Sequence, residues 1–310
     1  MKISKSIYAV IFFLLLAPLS VQSQDNVHRT SGQNTGKAFE VLQQQIDALQ
    51  QQVAELQAKL AALSINENGD MVISGVNVVI QDGQGGTYCG PPFSDHDCNG
   101  KGNLIIGYNE DNGEDIRTGS HNLVLGALHT YTSYSGIVAG RNNEISNVGA
   151  SVTSGQENVA SGLYASVCAG RNNVASGRYA SVSGGDFNVA SGVRSSVSGG
   201  NGNIASGEKS SVSGGLENTA SGEAASISGG AKNTATSSND SVSGGWSNIA
   251  SGGNSSVSGG TLNEATALNS SVSGGNINNA AGINSTVGGG YNRSTTDYED
   301  WAAGSLYEDY

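Results

Sequence analysis

Large side chains are scarce in this chain. Only 6% of its 310 residues are aromatic, whereas glycine alone accounts for 46 positions. Basic residues are also few. Fourteen Lys and Arg against 26 Asp and Glu leave a formal net charge of −12, which argues against nucleic acid and anionic membrane surfaces as partners. No His occurs between residues 137 and 301, no nucleophile motif is visible there, and acids such as Glu157, Asp186, Glu217 and Glu264 fall at scattered positions. A glycan-cleaving site needs carboxylates or basic groups gathered on one face, so no catalytic residue and no cofactor is expected. The most apolar run, Ile7 to Leu16, is shorter than the ~20 residues of a membrane helix. With Lys2 and Lys5 before it and Val21-Gln22-Ser23 after it, it reads as a secretory signal over 1–23. No Cys follows in the place a lipoprotein would use.

What the chain has in abundance is repetition. Val152, Val167, Val182, Val197, Val212, Ile227, Val242, Val257, Val272 and Val287 recur every 15 residues, with Ile137 read as the first opening. The text between them is nearly constant. Val182 opens Val-Ser-Gly-Gly-Asp-Phe-Asn-Val-Ala-Ser-Gly, and Val197 opens Val-Ser-Gly-Gly-Asn-Gly-Asn-Ile-Ala-Ser-Gly. A short fixed period marks a solenoid, and helical hairpin repeats need roughly 33 residues or more. Ser-Val-Ser alternates as a half-buried strand does. Gly-Gly, two variable residues and an Asn then make a corner, with the Asn expected at positive φ. A second short strand carries Ala160, Ala175, Ala190, Ala205 and Ala220, and Ser-Gly with two variable residues returns the chain. The predicted fold is all-β: a parallel β-roll or β-solenoid of 15-residue rungs over 137–301.

Asn143, Asn158, Asn173, Asn188, Asn203, Asn218, Asn233, Asn248, Asn263 and Asn278 stand six places after each opening. Stacked amides bond along such an array, so this column is expected to be structural. One Val and one Ala per rung bury little apolar surface against the entropy of ordering 15 residues. That imbalance points to several chains packed side by side.

Before the array the chain changes character repeatedly. Residues 24–37 are polar and read as a flexible lead-in. Phe39, Leu42, Ile46, Leu49, Val53, Leu56, Leu60 and Leu63 alternate at spacings of three and four, the seam of a coiled coil over 38–64. Residues 65–136 read as irregular strands and an N-terminal cap. They include strands at 71–73 and 76–80 and two apolar relatives of the repeat, Asn103 to Gly107 and Asn122 to Gly126. Tyr291, Tyr298, Trp301, Leu306, Tyr307 and Tyr310 are expected to cover the last rung, with 302–310 as a C-terminal cap. No membrane span is expected in the mature chain.

Cys89 and Cys98 close a short loop, read as a disulfide in an exported protein. Asp95-His96-Asp97 within it is read as a solvated loop. The acidic stretch 109–115 resembles a calcium loop but lacks its closing Glu and ligand spacing. Cys168 replaces a Ser on the face opposite the core Val, free or linked to another chain.

The reiterated Ser-Val-Ser-Gly-Gly-x-x-Asn-x-Ala-Ser-Gly resembles the head repeats of YadA-like (Hep/Hag) trimeric autotransporter adhesins, over about residues 103–305. The resemblance implies a parallel β-roll wound from three chains, with coiled-coil stalks, that binds an extracellular protein or glycan through its outer face. The chain differs from those adhesins in placing its coil before the head, in having no membrane barrel after it, and in writing Ser-Val-Ser-Gly-Gly for Ser-Val-Ala-Ile-Gly. The function expected is a secreted or cell-surface, non-catalytic structural or adhesive rod, a homotrimer. The alternatives are a carbohydrate-active enzyme on a β-solenoid and a trimeric fibre of the phage kind.

Overall fold

A computed structural model of the chain describes residues 32–90 and 96–304. The signal segment 1–23, Asp95, Leu306, Tyr307 and Tyr310 lie outside the described residues. The chain divides into two compact units, Met1–Val78 and Val79–Tyr310.

In the first unit a single helix, α1 (Gly32–Lys59), begins inside the expected lead-in. It also ends earlier than the heptads suggested. Leu60 still donates its N–H to the Leu56 carbonyl at 3.0 Å, but the backbone then turns. Leu63 leaves the expected seam to open β1 (Leu63–Ile65), paired antiparallel with β2 (Met71–Ile73). The competing structure is the tight turn between them. Asn66 Oδ1 accepts the N–H groups of Asn68 at 3.0 Å and Asp70 at 2.9 Å, an Asx turn that starts a hairpin. The strand expected at 76–80 finds no partner, and Val76, Val78, Val79 and Ile80 are exposed.

The second unit is a parallel β-solenoid. It begins with β3 (Leu104–Ile106), β4 (Leu123–Ala127), β5 (Thr130–Tyr131), β6 (Ile137–Arg141) and β7 (Glu144–Ile145). From β8 (Ser151–Val152) and β9 (Val159–Ala160) onward each rung adds two two-residue strands, ending with β26 (Thr286–Val287), β27 (Ser294–Thr295) and β28 (Trp301–Ala302). β3 and the even-numbered strands from β4 form a 14-stranded sheet; the odd-numbered strands from β5 form a 12-stranded one. Ser166 pairs with Ser151 and Ser181, and Val174 with Val159 and Val189, so the register is the sequence period itself.

The register corrects the first opening. Val138, not Ile137, pairs with Val152, and Val124 pairs with Val138. The early offset in this sheet is therefore 14 residues, because Val138-Ala139-Gly140 is one residue shorter than Val152-Thr153-Ser154-Gly155. Ile137 faces outward for that reason.

The core is narrow. It consists of the Val column, the Ala column, the Asn column and a column of small or polar residues running from Ala165 through Asp240 to Ser285, each buried from rung to rung. Glycine is obligatory at the second position of the Gly-Gly pair. Gly185 has φ +86°, and a Cβ there would stand 2.2 Å from the Gly200 carbonyl oxygen. The first position is open: a Cβ on Gly184 meets nothing within 4 Å, and Ser154 and Ala169 occupy the same place in earlier rungs.

The two ends differ from expectation. Leu104, Ile105 and Ile106 of β3 are exposed, as are Tyr291, Tyr298 and Trp301. At the last rung it is Ala302 that pairs with Val287 and enters the core column, which leaves Trp301 pointing outward.

Candidate functional site

The constant Val, Ala and Asn of the repeat are spent on the interior. Each buried Asn uses its whole amide. Asn188 Oδ1 accepts the backbone N–H of Asn203 at 3.0 Å, while Asn188 Nδ2 donates to the carbonyls of Gly184 at 3.0 Å and Gly200 at 2.9 Å. The pattern recurs at Asn203, Asn233 and Asn263. Because the oxygen and both protons of each such amide are engaged inside the roll, these groups are not available to a ligand.

The corner geometry corrects one expectation. Positive φ falls on the residue before each ladder Asn, for example Glu157, Phe187, Glu217, Leu262 and Ile277, and not on the Asn itself. The return corner has a matching column at Tyr164, Tyr179, Arg194, Lys209, Ala224, Asn239, Asn254, Asn269 and Asn284. Left-handed backbone is uncommon for such side chains. The ladder holds it in place: the N–H of Arg194 donates to the Arg178 carbonyl, and that of Lys209 to the Val193 carbonyl, both at 2.8 Å.

These columns carry nearly all the chemical variety of the array, and they change along it. In the front half, the rings of Tyr164 and Tyr179 stack 5.6 Å apart and 5° from parallel, with the Arg194 guanidinium 5.9 Å from the Tyr179 centroid. Arg171 lies 3.6 Å from Asp186, Lys209 3.6 Å from Glu223 and Lys232 3.8 Å from Glu217. Of the acids that look scattered in sequence, Asp186 and Glu217 are thus paired with bases on adjacent rungs. Being exposed, each pair contributes about 0–1 kcal/mol. In the rear half the same corner becomes an exposed amide ladder: Asn239 Nδ2 donates to Asn254, Asn254 to Asn269 and Asn269 to Asn284, at 3.0, 3.2 and 2.9 Å. In sequence this corner reads only as two variable residues, which passes over the column. The signal was four Asn spaced 15 apart.

The N-terminal rungs hold the remaining candidates. Cys89 and Cys98 form a disulfide with Cα atoms 4.9 Å apart. The carbonyl of His96 accepts the Gly90 N–H inside that loop at 2.6 Å. In the acidic stretch the cation is internal. Arg117 donates to the carbonyl of Asn109 at 2.7 Å, to that of Glu110, and to Asp115 Oδ2 at 2.9 Å, with Asp111 3.8 Å away. Residue 117 lies just beyond the stretch, so inspection of 109–115 alone does not reveal it. His129 is fully buried, and burial holds its imidazole below the usual histidine range; the Leu125 carbonyl and the Asp115 carboxylate oppose that shift. Cys168 is a free, exposed thiol.

Among the described residues, no group of three His, Cys, Asp or Glu side chains is placed to hold a metal ion, and no helix is long and apolar enough to cross a membrane. Of the expected seam residues, Phe39, Leu42, Ile46, Leu49, Leu56, Leu60 and Leu63 are exposed and Val53 is half-buried. Together the sheets, register and corner columns define a parallel β-solenoid of 15-residue rungs. The chain matches no protein-family model and no curated protein.

Proposed function

We propose that this chain is an exported, non-catalytic structural or adhesive rod that works as a homotrimer and binds extracellular protein or glycan through its outer corners. The observation that supports this reading is the division between interior and corners. The invariant Val, Ala, Asn and Gly are consumed by stacking, while the charged, aromatic and amide side chains stand outside at the two corners of each rung. A surface made of short, differing patches suits local recognition better than a repeated lattice does. The exposed seam of α1 supplies a means of joining chains, since Phe39 to Leu56 keeps coiled-coil spacing and is left uncovered within one chain. The head-repeat resemblance points to three chains.

The direct test is the solution mass of the chain from Gln24, by light scattering with and without reductant. A mass of three chains that persists under reductant is expected, with Cys168 not joining them. A folded monomer overturns the proposal. Removal of three middle rungs, residues 182–226, is expected to leave a folded oligomer of the same chain number. Aggregated or unfolded product would show that the array is not modular.

A further inference from the structure

The buried amide ladder does not begin with an asparagine. One rung before Asn143, its place is taken by His129, and the imidazole reproduces two of the amide's three bonds, the accepted one and the donation four residues back. Nδ1 accepts the backbone N–H of Asn143 at 3.2 Å, as Asn143 Oδ1 accepts that of Asn158 at 2.8 Å. Nε2 donates to the carbonyl of Leu125 at 3.0 Å, four residues back, as Asn143 Nδ2 donates to Ala139 at 2.8 Å, also four residues back. The 14-residue offset between His129 and Asn143 equals that between Val124 and Val138. Only one protonation state performs both roles: the neutral ring with its proton on Nε2.

We propose that His129 is a proton-operated latch at the N-terminal end of the ladder, closed while its ring is neutral and released when Nδ1 takes up a proton. Protonation converts the Nδ1 lone pair into an N–H directed at the N–H of Asn143. Two donors then face each other in a site without water access, and the first rung of the ladder loses its acceptor. An asparagine ladder cannot respond in this way, because its amides do not titrate.

The surroundings set the balance. From the loop before β4 the charged groups acting on the ring are the Asp115 carboxylate, which favours the charged form, and the Arg117 guanidinium, which opposes it. Arg117 Nε also reaches the His129 carbonyl at 3.4 Å. From β4 the ring meets the backbone of Leu125 and Gly126, and after β6 the backbone of Asn143. Burial dominates and lowers the proton affinity of the folded ring. The opened state, with a histidine of ordinary affinity near 6.5, therefore binds more protons. Opening is unaffected by pH above about 6.5, grows about tenfold per pH unit as pH falls below it, and levels off once the folded ring itself is protonated.

Hydrogen exchange on the full chain between pH 8 and pH 5, corrected for intrinsic rates, reads this directly. The amides of Asn143, Glu144 and Thr130 are expected to lose protection about tenfold per pH unit below about 6.5, while rungs 182–227 keep theirs. The variant His129→Asn restores a non-titrating amide and is expected to hold these same amides at constant protection. Equal loss in that variant, or equal loss along the whole solenoid, overturns the proposal. Should the variant not fold, 15N-histidine spectra of the wild-type chain decide instead. One of its four histidines is expected as the neutral Nε2–H tautomer at pH 6.5 and below; four charged rings at that pH refute the latch.

Discussion

Between Phe39 and Val78 the chain carries a dense series of Leu, Ile, Val and Met side chains, yet almost every one is open to solvent. From Val152 to Val272 each rung buries only one Val or Ile and one or two Ala, and those are sealed, although Val193, Ile204, Ile277 and Ile283 stand exposed beside them. Apolar content and self-sufficiency thus run in opposite directions. The solenoid closes its core within one polypeptide because the 15-residue period brings identical small residues into register. A two-stranded hairpin and a single helix have no such neighbours, and neither is stable alone in water. The richer segment is therefore the one whose apolar side chains stay open within one chain, and the poorer one is the one that closes its own core.

That contrast can be broken at several points. The largest effect is expected inside the solenoid, at Asn203→Ala. It strands the buried N–H of Asn218 and the carbonyls of Gly199 and Gly215, for a loss of about 3–5 kcal/mol in denaturant unfolding. Next, Leu49→Asp places a charge in the exposed seam. It is expected to reduce the light-scattering mass toward one chain, with association weakened by about 3 kcal/mol or more, while the far-ultraviolet signal of the solenoid persists. A smaller pair of changes sharpens the local rule. Gly185→Ala is expected to cost about 2 kcal/mol or more, from backbone clash at positive φ, and its neighbour Gly184→Ala less than about 1 kcal/mol. Smallest is Asn254→Ala in the exposed ladder, where water replaces the lost partners and the change stays within about 1 kcal/mol. A large effect there would show that the outer amides, and not only the inner ones, hold the rungs together.

The sequence made the rungs legible because a repeat compares itself: each position has ten parallel witnesses, and Val, Ala, Asn and Gly columns stand out without any outside alignment. The same habit hid the exceptions. His129 matches the ladder in chemistry but not in identity, so a search for recurring letters passes over it. The exposed Asn239 to Asn284 column occupies a position that holds Tyr, Arg, Lys or Ala in earlier rungs, which made it look merely variable. The single missing residue in Val138-Ala139-Gly140 moved the first opening by one, and a one-residue slip exchanges buried and exposed faces. Heptad spacing likewise continued through Leu60 and Leu63 after the helix had given way to a hairpin, because the turn chemistry of Asn66 lies downstream of the seam it ends.

The in-register pairing has a mechanical consequence. Inter-rung hydrogen bonds run along the solenoid axis, so tension applied between its ends meets them one rung at a time rather than all together in shear. Each rung that lets go frees 15 residues, about 50 Å of extended chain, and leaves a new terminal rung like the one before it. Stretched in this way, the solenoid dissipates work through a succession of small, equal, reversible extensions instead of a single rupture.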